Sequence, residues 1–174
     1  CEYLCTGGSF YRQLLDFGGM MLHSSAVVMN GYAYLFSAPC GTGKSTHTRF
    51  WRETFGDRVV MINDDKPLIK ITGSGATVYG TPWCGKHNLG ENISAPLFAI
   101  VSLERSKVNR VEKSDSKKSF PKIFSQTYRT KNILGLQKTL ALTDKMLNSV
   151  QIFELGCNMD PEAAIVAYNG MKGI

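Results

Sequence analysis

The sequence predicts an α/β domain: a mixed β-sheet with helices packed around it and a phosphate loop at its centre. Three observations carry that reading. Residues 35–48 run from an apolar strand through a glycine-bearing loop into a helix that starts Lys44-Ser45-Thr46. A second apolar strand, 58–63, runs straight into Asp64-Asp65. Just before the loop strand stands Asn30-Gly31, the dipeptide of a two-residue hairpin. The strand feeding the loop is therefore expected to pair antiparallel with the strand before it.

Taken in order, residues 9–17 predict a short helix. Ser9 would cap it, Phe10, Leu14 and Phe17 would share its apolar face, and Gly18-Gly19 would stop it. Residues 21–29 and 32–38 read as the two strands of the hairpin. The loop helix spans 44–54, with Phe50, Trp51 and Phe55 as its apolar contribution, and ends at Gly56-Asp57. Residues 68–72 and 76–79 flank Gly73-Ser74-Gly75 as a second hairpin, and 80–92 form an irregular polar loop. The continuous apolar run 96–103 predicts a buried strand, and 109–113 an edge strand. Helices follow at 119–127 and 133–148, the second amphipathic through Ile133, Leu136, Leu140 and Leu147. After a last strand at 150–155, Asp160 caps a final helix with Pro161 at its first position and Gly170 just past its end.

At 174 residues the chain is long enough for a single domain, 1–174, with a core that needs no staple. Its 43% hydrophobic and 20% charged residues are those of a soluble globular protein. The net charge of +6 suits a phosphate-bearing ligand. Aromatic-basic interleaving and recognition-helix signatures are missing, so no nucleic-acid partner is expected. The five cysteines, Cys1, Cys5, Cys40, Cys84 and Cys157, are odd in number and scattered. They predict neither a disulfide framework nor a zinc site, but reduced thiols in a cytoplasmic protein. No signal peptide or membrane-spanning run is visible, so no membrane partner is expected either. A start at Cys1 in place of Met raises the expectation of a longer parent chain, and a homo-oligomer is left open.

The loop has the chemistry to hold a nucleoside triphosphate such as ATP with Mg²⁺. Backbone N–H groups of Ala38, Pro39-Cys40, Gly41, Thr42 and Gly43 would surround phosphate oxygens, except at Pro39, which has none. Lys44 would reach the outer phosphates, Ser45 would ligate Mg²⁺, and Thr46 would sit near the α-phosphate. The pattern G-x-x-x-x-G-K-[ST] begins with glycine, whereas this chain has Ala38 there, so that position must avoid φ > 0. Asp64 and Asp65 supply the carboxylates of phosphoryl transfer: one to hold Mg²⁺, the other to take a proton from an attacking hydroxyl. The bland alternatives are a solvated helix start and an acidic turn. His23 could equally be a satisfied core histidine, and His47 is either structural or nucleotide-adjacent. Lys86, His87 and Asn88 could contact substrate or only connect strands. Arg105, Arg110 and Arg129 are candidates for a charge-neutralising arginine, and spacing does not choose among them.

His23-Ser24-Ser25-Ala26, the hairpin, the loop 38–46 and Asn63-Asp64-Asp65 together resemble the nucleotide core shared by HPr kinase/phosphorylases and phosphoenolpyruvate carboxykinases. The resemblance covers residues 20–105, and the whole chain looks like a small HPr kinase-like bacterial protein. It implies a P-loop domain of the HPr kinase C-terminal/phosphoenolpyruvate carboxykinase nucleotide-binding type. It implies ATP-dependent transfer of a γ-phosphate to a hydroxyl, expected to be a serine of a small molecule or peptide. By the same resemblance Asp64 is the base, Asp65 a metal ligand beside Ser45, and Lys44 and His23 complete the catalytic set. His23 would bind a second divalent metal or hydrogen-bond the transferred phosphate. The rival reading is a catalytically silent nucleotide-binding module that regulates a partner. Carboxykinase decarboxylation is not expected, because no oxaloacetate-binding half is recognisable.

Overall fold

A computed structural model describes residues 2–73 and 75–172, with side chains from residue 5 onward. Cys1 and Ser74 lie outside it. Among the described residues, five helices surround one mixed, nine-stranded sheet. The strands are β1 (Gly19–Met21), β2 (Ser24–Met29), β3 (Tyr32–Ser37), β4 (Val59–Asn63), β5 (Leu68–Thr72), β6 (Gly75–Tyr79), β7 (Ser94–Arg105), β8 (Arg110–Lys113) and β9 (Gln151–Cys157). Their order is β1-β5-β6-β7-β3-β2-β4, with β9 beside β7 and β8 outside β9.

Strand β7 joins the two halves of the sheet. Its first residues pair antiparallel with β6, while Leu97 to Ser102 run parallel to β3 and Ala99 to Arg105 parallel to β9. The predicted hairpin is present: Met29 faces Tyr32 across Asn30 (φ 54°) and Gly31 (φ 81°), both in the left-handed region that such a turn requires. The loop strand β3 is thus antiparallel to β2 on one side and parallel to β7 on the other. The second hairpin is also present, with Thr72 opposite Gly75.

Alternate residues of the strands feed two cores, one on each face. Leu22, Leu35, Ile62 and Ile100 pack with Ile123 of α3 (Ser116–Ser125) and with Met146 and Leu147 of α4 (Ile133–Leu147). Tyr34, Phe36, Val101 and Phe153 pack with Phe50 and Trp51 of α2 (Lys44–Phe55) and with Ala164 and Ala167 of α5 (Glu162–Lys172). Trp51 is fully buried, its ring 5.1 Å from Tyr34 and 5.3 Å from Phe36. This α/β/α layering follows from the period-2 alternation of strands meeting apolar helix stripes.

Several elements differ from expectation. The first helix, α1, is longer (Glu2–Leu14) and continues as a 3₁₀ turn, Leu15–Phe17, before Gly18 stops it in the left-handed conformation. Ser9 is therefore interior, not a cap. Its apolar face is also different, because Phe10 and Phe17 are 42% and 72% exposed while Tyr11 and Leu15 are buried. The tighter 3₁₀ turn advances each residue further round the axis and swings Phe17 outward. In α4 the predicted stripe is turned to solvent at Ile133, Leu136 and Leu140, whereas Leu147 is buried as expected. Thr139 and Thr143 are buried instead, each hydroxyl donating over 2.8 Å to the carbonyl one turn back, on Gly135 and Thr139. Gly170 is inside α5, not past its end: a Cβ there would lie 2.0 Å from Val111 Cγ1, so the glycine lets α5 press on β8. The cap at Asp160 is as expected, its Oδ1 accepting from Glu162 N at 3.0 Å.

Candidate nucleotide-binding site

The expected first strand of the hairpin is interrupted at Leu22-His23. There the chain leaves β1 and pairs with the end of α3: Leu22 bridges Thr127, and His23 N donates to Gln126 O at 2.9 Å. The interruption sets His23 beside the end of β3, where Ser37 Oγ donates to His23 O at 3.1 Å.

From Ser37 the chain turns through residues 38–43 into α2. Gly41 (φ 78°) and Gly43 (φ 125°) hold backbone conformations that disfavour any side chain, which is how the loop folds back on itself before the helix begins. Ala38 lies outside the positive-φ region, as its side chain requires, and is buried in the core with Phe36 and Phe50. Lys44 is buried, and its ammonium donates to Ala38 O at 2.9 Å and Pro39 O at 3.4 Å. Burial lowers its pKa, while Cys40, Asp65 and Asp64 pull the other way. Arg105 reaches across from β7 and donates to Gly41 O at 2.6 Å. Arg110 instead pairs with Glu104 and Glu112, and Arg129 lies over the Phe124 ring. Of the three candidate arginines, Arg105 alone thus contacts the loop among the described residues.

Strand β4 delivers the acidic pair. Asn63, fully buried, accepts from Asp65 N at 2.9 Å and Lys66 N at 2.7 Å through Oδ1, and donates to Thr81 O at 3.0 Å. This side-chain turn bends the chain just after the strand. Asp64 is buried, and its Oδ1 accepts from Ser25 Oγ at 2.6 Å; Ser25 Oγ also meets Thr48 Oγ1 of α2 at 2.8 Å. Asp65 is more open. It forms an ion pair with Lys66, and its Oδ1 lies 3.4 Å from His23 Nε2. The loop 80–92 closes over the pair through Asp64 N donating to Leu89 O and the packing of Gly85 on Asp65.

His23 is half-buried. Gln126 turns its amide so that Nε2 donates to Ser125 Oγ at 3.0 Å and Oε1 meets His23 Nδ1 at 3.2 Å. Burial lowers the His23 pKa, with Lys44 adding to the effect and Asp65 and Gln126 opposing it. His47, by contrast, lies within the second core, where its Nε2 accepts from Trp51 Nε1 at 3.0 Å.

These groups meet in one cleft of about 400 Å³, lined by His23, Cys40, Gly41, Gly43, Lys44, Ser45, Thr46, Asp64, Asp65, Gly85, Lys86 and His87. Ser45 is exposed at the start of α2, where the first amides of a helix lack internal partners and favour anions. Ala38 and Pro39 contribute carbonyls to Lys44 and lie behind this cleft; Thr42 faces a second hollow of about 600 Å³ with Phe50, Arg105 and Met159. Asn88 lies outside the cleft, with Thr81 and Glu91. Ser25, Thr48 and Gln126 orient site residues without any local sequence signal. Asn63 did have one, an Asx residue at the end of a strand.

No protein-family model matches the chain, and no curated protein does. Its fold is similar to that of the HPr(Ser) kinase/phosphatase from Coxiella burnetii. The likeness covers 86% of this chain and 89% of that one, with a TM-score of 0.48 and 7% sequence identity. No helix among the described residues is long and apolar enough to cross a membrane.

Proposed function

We propose that the protein is an ATP-dependent phosphotransferase that moves the γ-phosphate to a hydroxyl, a serine of a small molecule or peptide. The carrying observation is that Lys44, Ser45, Thr46, Asp64, Asp65 and His23 line a single cleft. The phosphate chain would lie along residues 40–46, and the apolar hollow beside Phe50 and Met159 would take the nucleoside.

The donors present fit Mg²⁺. Ser45 offers a hydroxyl and Asp65 a carboxylate, hard oxygen ligands on one cleft. Among the described residues no three His, Cys, Asp or Glu side chains gather as a protein-only cage. That suits an ion which completes its shell with water and phosphate oxygens. When bound there, the ion would neutralise charge on the phosphates. His23 and Asp65 could bridge a second divalent cation.

Lys44 exchanges its loop carbonyls for phosphate oxygens. Asp64, fixed by Ser25, accepts the proton of the acceptor hydroxyl. The hydroxyl oxygen bonds to the γ-phosphorus as that atom's bond to the β,γ-bridging oxygen breaks, and ADP leaves with that electron pair. Most of the rate arises from positioning and charge stabilisation.

The test pairs binding with transfer. Mg²⁺-ATP should raise the melting temperature, by a stabilisation of about 2.7 kcal/mol at a hundredfold excess over Kd, and Lys44→Ala should abolish the rise. Label from γ-labelled ATP should pass to serine, serine peptides or other hydroxyl compounds. Binding without transfer to any acceptor would favour a nucleotide-sensing module. No thermal response to either ATP or ADP would sink both readings.

A further inference from the structure

Between the end of α1 and the start of α4 lies a groove of about 560 Å³ that the proposed reaction does not use. Its shape follows from the local sequence. Asn132 caps α4, its Oδ1 accepting from Gly135 N at 2.6 Å. A Cβ at Gly135 would lie 2.0 Å from Thr130 Oγ1, so the glycine lets the chain before the cap press directly on the helix. Leu15 of the 3₁₀ turn is buried and gives the groove an apolar base, while Ile133 and Leu134 stand beside it, 75% and 71% exposed.

Three observations bear on what the groove takes. First, the opening turn of α4 sets two large aliphatic side chains together in solvent beside an apolar base. Single exposed aliphatics are ordinary, but a group of them in a concave site marks a binding surface. Second, the charge is one-sided. Three cations, Arg12, Lys131 and Lys138, line the groove against one carboxylate, Asp16, which is paired with Lys138. Arg12 bonds Ser9 Oγ at 3.1 Å, and among the described residues no carboxylate pairs with Arg12 or Lys131. The groove thus offers apolar contact and an excess of positive charge, which an acidic partner complements. Third, the site is hollow. Its volume falls within the ~300–1,000 Å³ of sites that enclose a ligand, which suits a short run of polypeptide and not the flat face of a bilayer. A second copy of this chain would bring the same cations face to face across a two-fold contact.

We propose that this groove docks an acidic peptide segment of a partner protein, one in which glutamate or aspartate stands beside leucine-like side chains. The apolar side chains cover Leu15, Ile133 and Leu134, and the carboxylates meet Arg12 and Lys131, while Lys138 stays with Asp16. Apolar burial supplies most of the affinity, because exposed charge pairs are individually weak. The charges select the partner and speed its encounter. A single groove of this size is a transient docking contact and not a permanent subunit interface. The inference goes beyond the phosphotransferase reading and does not rest on it, since none of these residues lines the cleft.

The experiment follows the fluorescence polarisation of three labelled peptides titrated with the full chain. One alternates glutamate with leucine, one lysine with leucine, and one glutamate with serine. The glutamate-leucine peptide should bind saturably, and less tightly as salt is added. The other two should bind about tenfold more weakly or not at all. Arg12→Glu combined with Lys131→Glu should weaken binding about tenfold, the scale of two exposed charge pairs. Ile133→Ser combined with Leu134→Ser should weaken it at least as far. All four side chains are exposed, so both double variants should keep the urea midpoint of the wild type. No saturable binding of the glutamate-leucine peptide, equal binding of the lysine peptide, or binding that survives both double variants would overturn the proposal. A monomer-dimer equilibrium in sedimentation velocity that Ile133→Ser with Leu134→Ser abolishes would overturn it too, by giving the groove to a second copy. Co-sedimentation with phosphatidylserine vesicles, lost in the same variants and without any peptide binding, would give it to a membrane surface instead.

Discussion

Replacing His47 by glutamine separates one proton-linked contribution to stability from all the others. The ring is 2% exposed, and its centroid lies 4.6 Å from that of Phe36. Nε2 accepts the Trp51 indole proton at 3.0 Å, so the neutral ring carries its hydrogen on Nδ1. Acid would have to place a second proton on the nitrogen already used as an acceptor, inside an apolar core. Burial accordingly pushes the pKa down to about 3. The folded value is below the unfolded one, so between them the unfolded chain binds more protons. Stability is therefore complete above the unfolded pKa of 6.5 and drains as pH falls toward about 3. Each unit costs ~1.4 kcal/mol, and the whole interval amounts to roughly 5 kcal/mol. A domain typically has only ~5–15 kcal/mol in total, so this one residue would dominate mild acid denaturation. His23, whose pKa is also lowered, acts in the same direction but is unchanged in the variant. Urea unfolding followed by Trp51 fluorescence from neutral to mildly acidic pH measures the difference. The wild type should lose stability more steeply than His47→Gln, with the gap between them changing by ~1.4 kcal/mol per unit. Parallel loss in both proteins would refute the argument.

The other predictions concern the cleft and one helix contact. Asp64→Asn should lower phosphoryl transfer by ~10²–10⁴ at any Mg²⁺ concentration, the scale of a lost general base. Asp65→Asn should instead shift the Mg²⁺ dependence and recover in part at high Mg²⁺; the reverse pattern would exchange the two roles. Iodoacetamide should label the exposed Cys40, and Mg²⁺-ATP should slow that reaction without slowing reaction at the exposed Cys5; peptide mass spectrometry reads both. Gly170→Ala should destabilise by ~1–3 kcal/mol through the clash with Val111, despite alanine's better helix propensity. Val111→Ala in the same chain should relieve part of that loss in urea unfolding.

What the sequence discloses is governed by the range of the interaction that decides each feature. The Asn30-Gly31 turn and the Asp160 cap depend on neighbours within three residues, and both form as expected. The turn of residues 38–43 into α2 is local in the same sense. Helix faces proved less legible, because burial of Thr139 and Thr143 depends on hydroxyls satisfied one turn back, which hydropathy alone ignores. The supports of the site are the least legible. Ser25 reaches Asp64 across 39 residues, and His23 reaches Gln126 across 103. Arg105 could not be told from Arg110 until β7 brought it beside Gly41, 64 residues away in sequence.

Ala38 shows how the structure can resolve a departure from a pattern. Glycine at the start of a phosphate loop can serve two purposes: positive φ, or room for a close neighbour. Here the positive φ angles fall on Gly41 and Gly43 instead. The methyl group of Ala38 points into the second core, while its carbonyl, which any residue would supply, receives the Lys44 ammonium. The substitution therefore adds apolar contact beneath the loop and leaves the cleft's cationic group in place. Alanine also restricts the unfolded chain more than glycine does, which favours the folded loop where the backbone conformation permits it. On these grounds the missing glycine bears on the stiffness of the loop and leaves its positive-φ turns and the Lys44 contact intact.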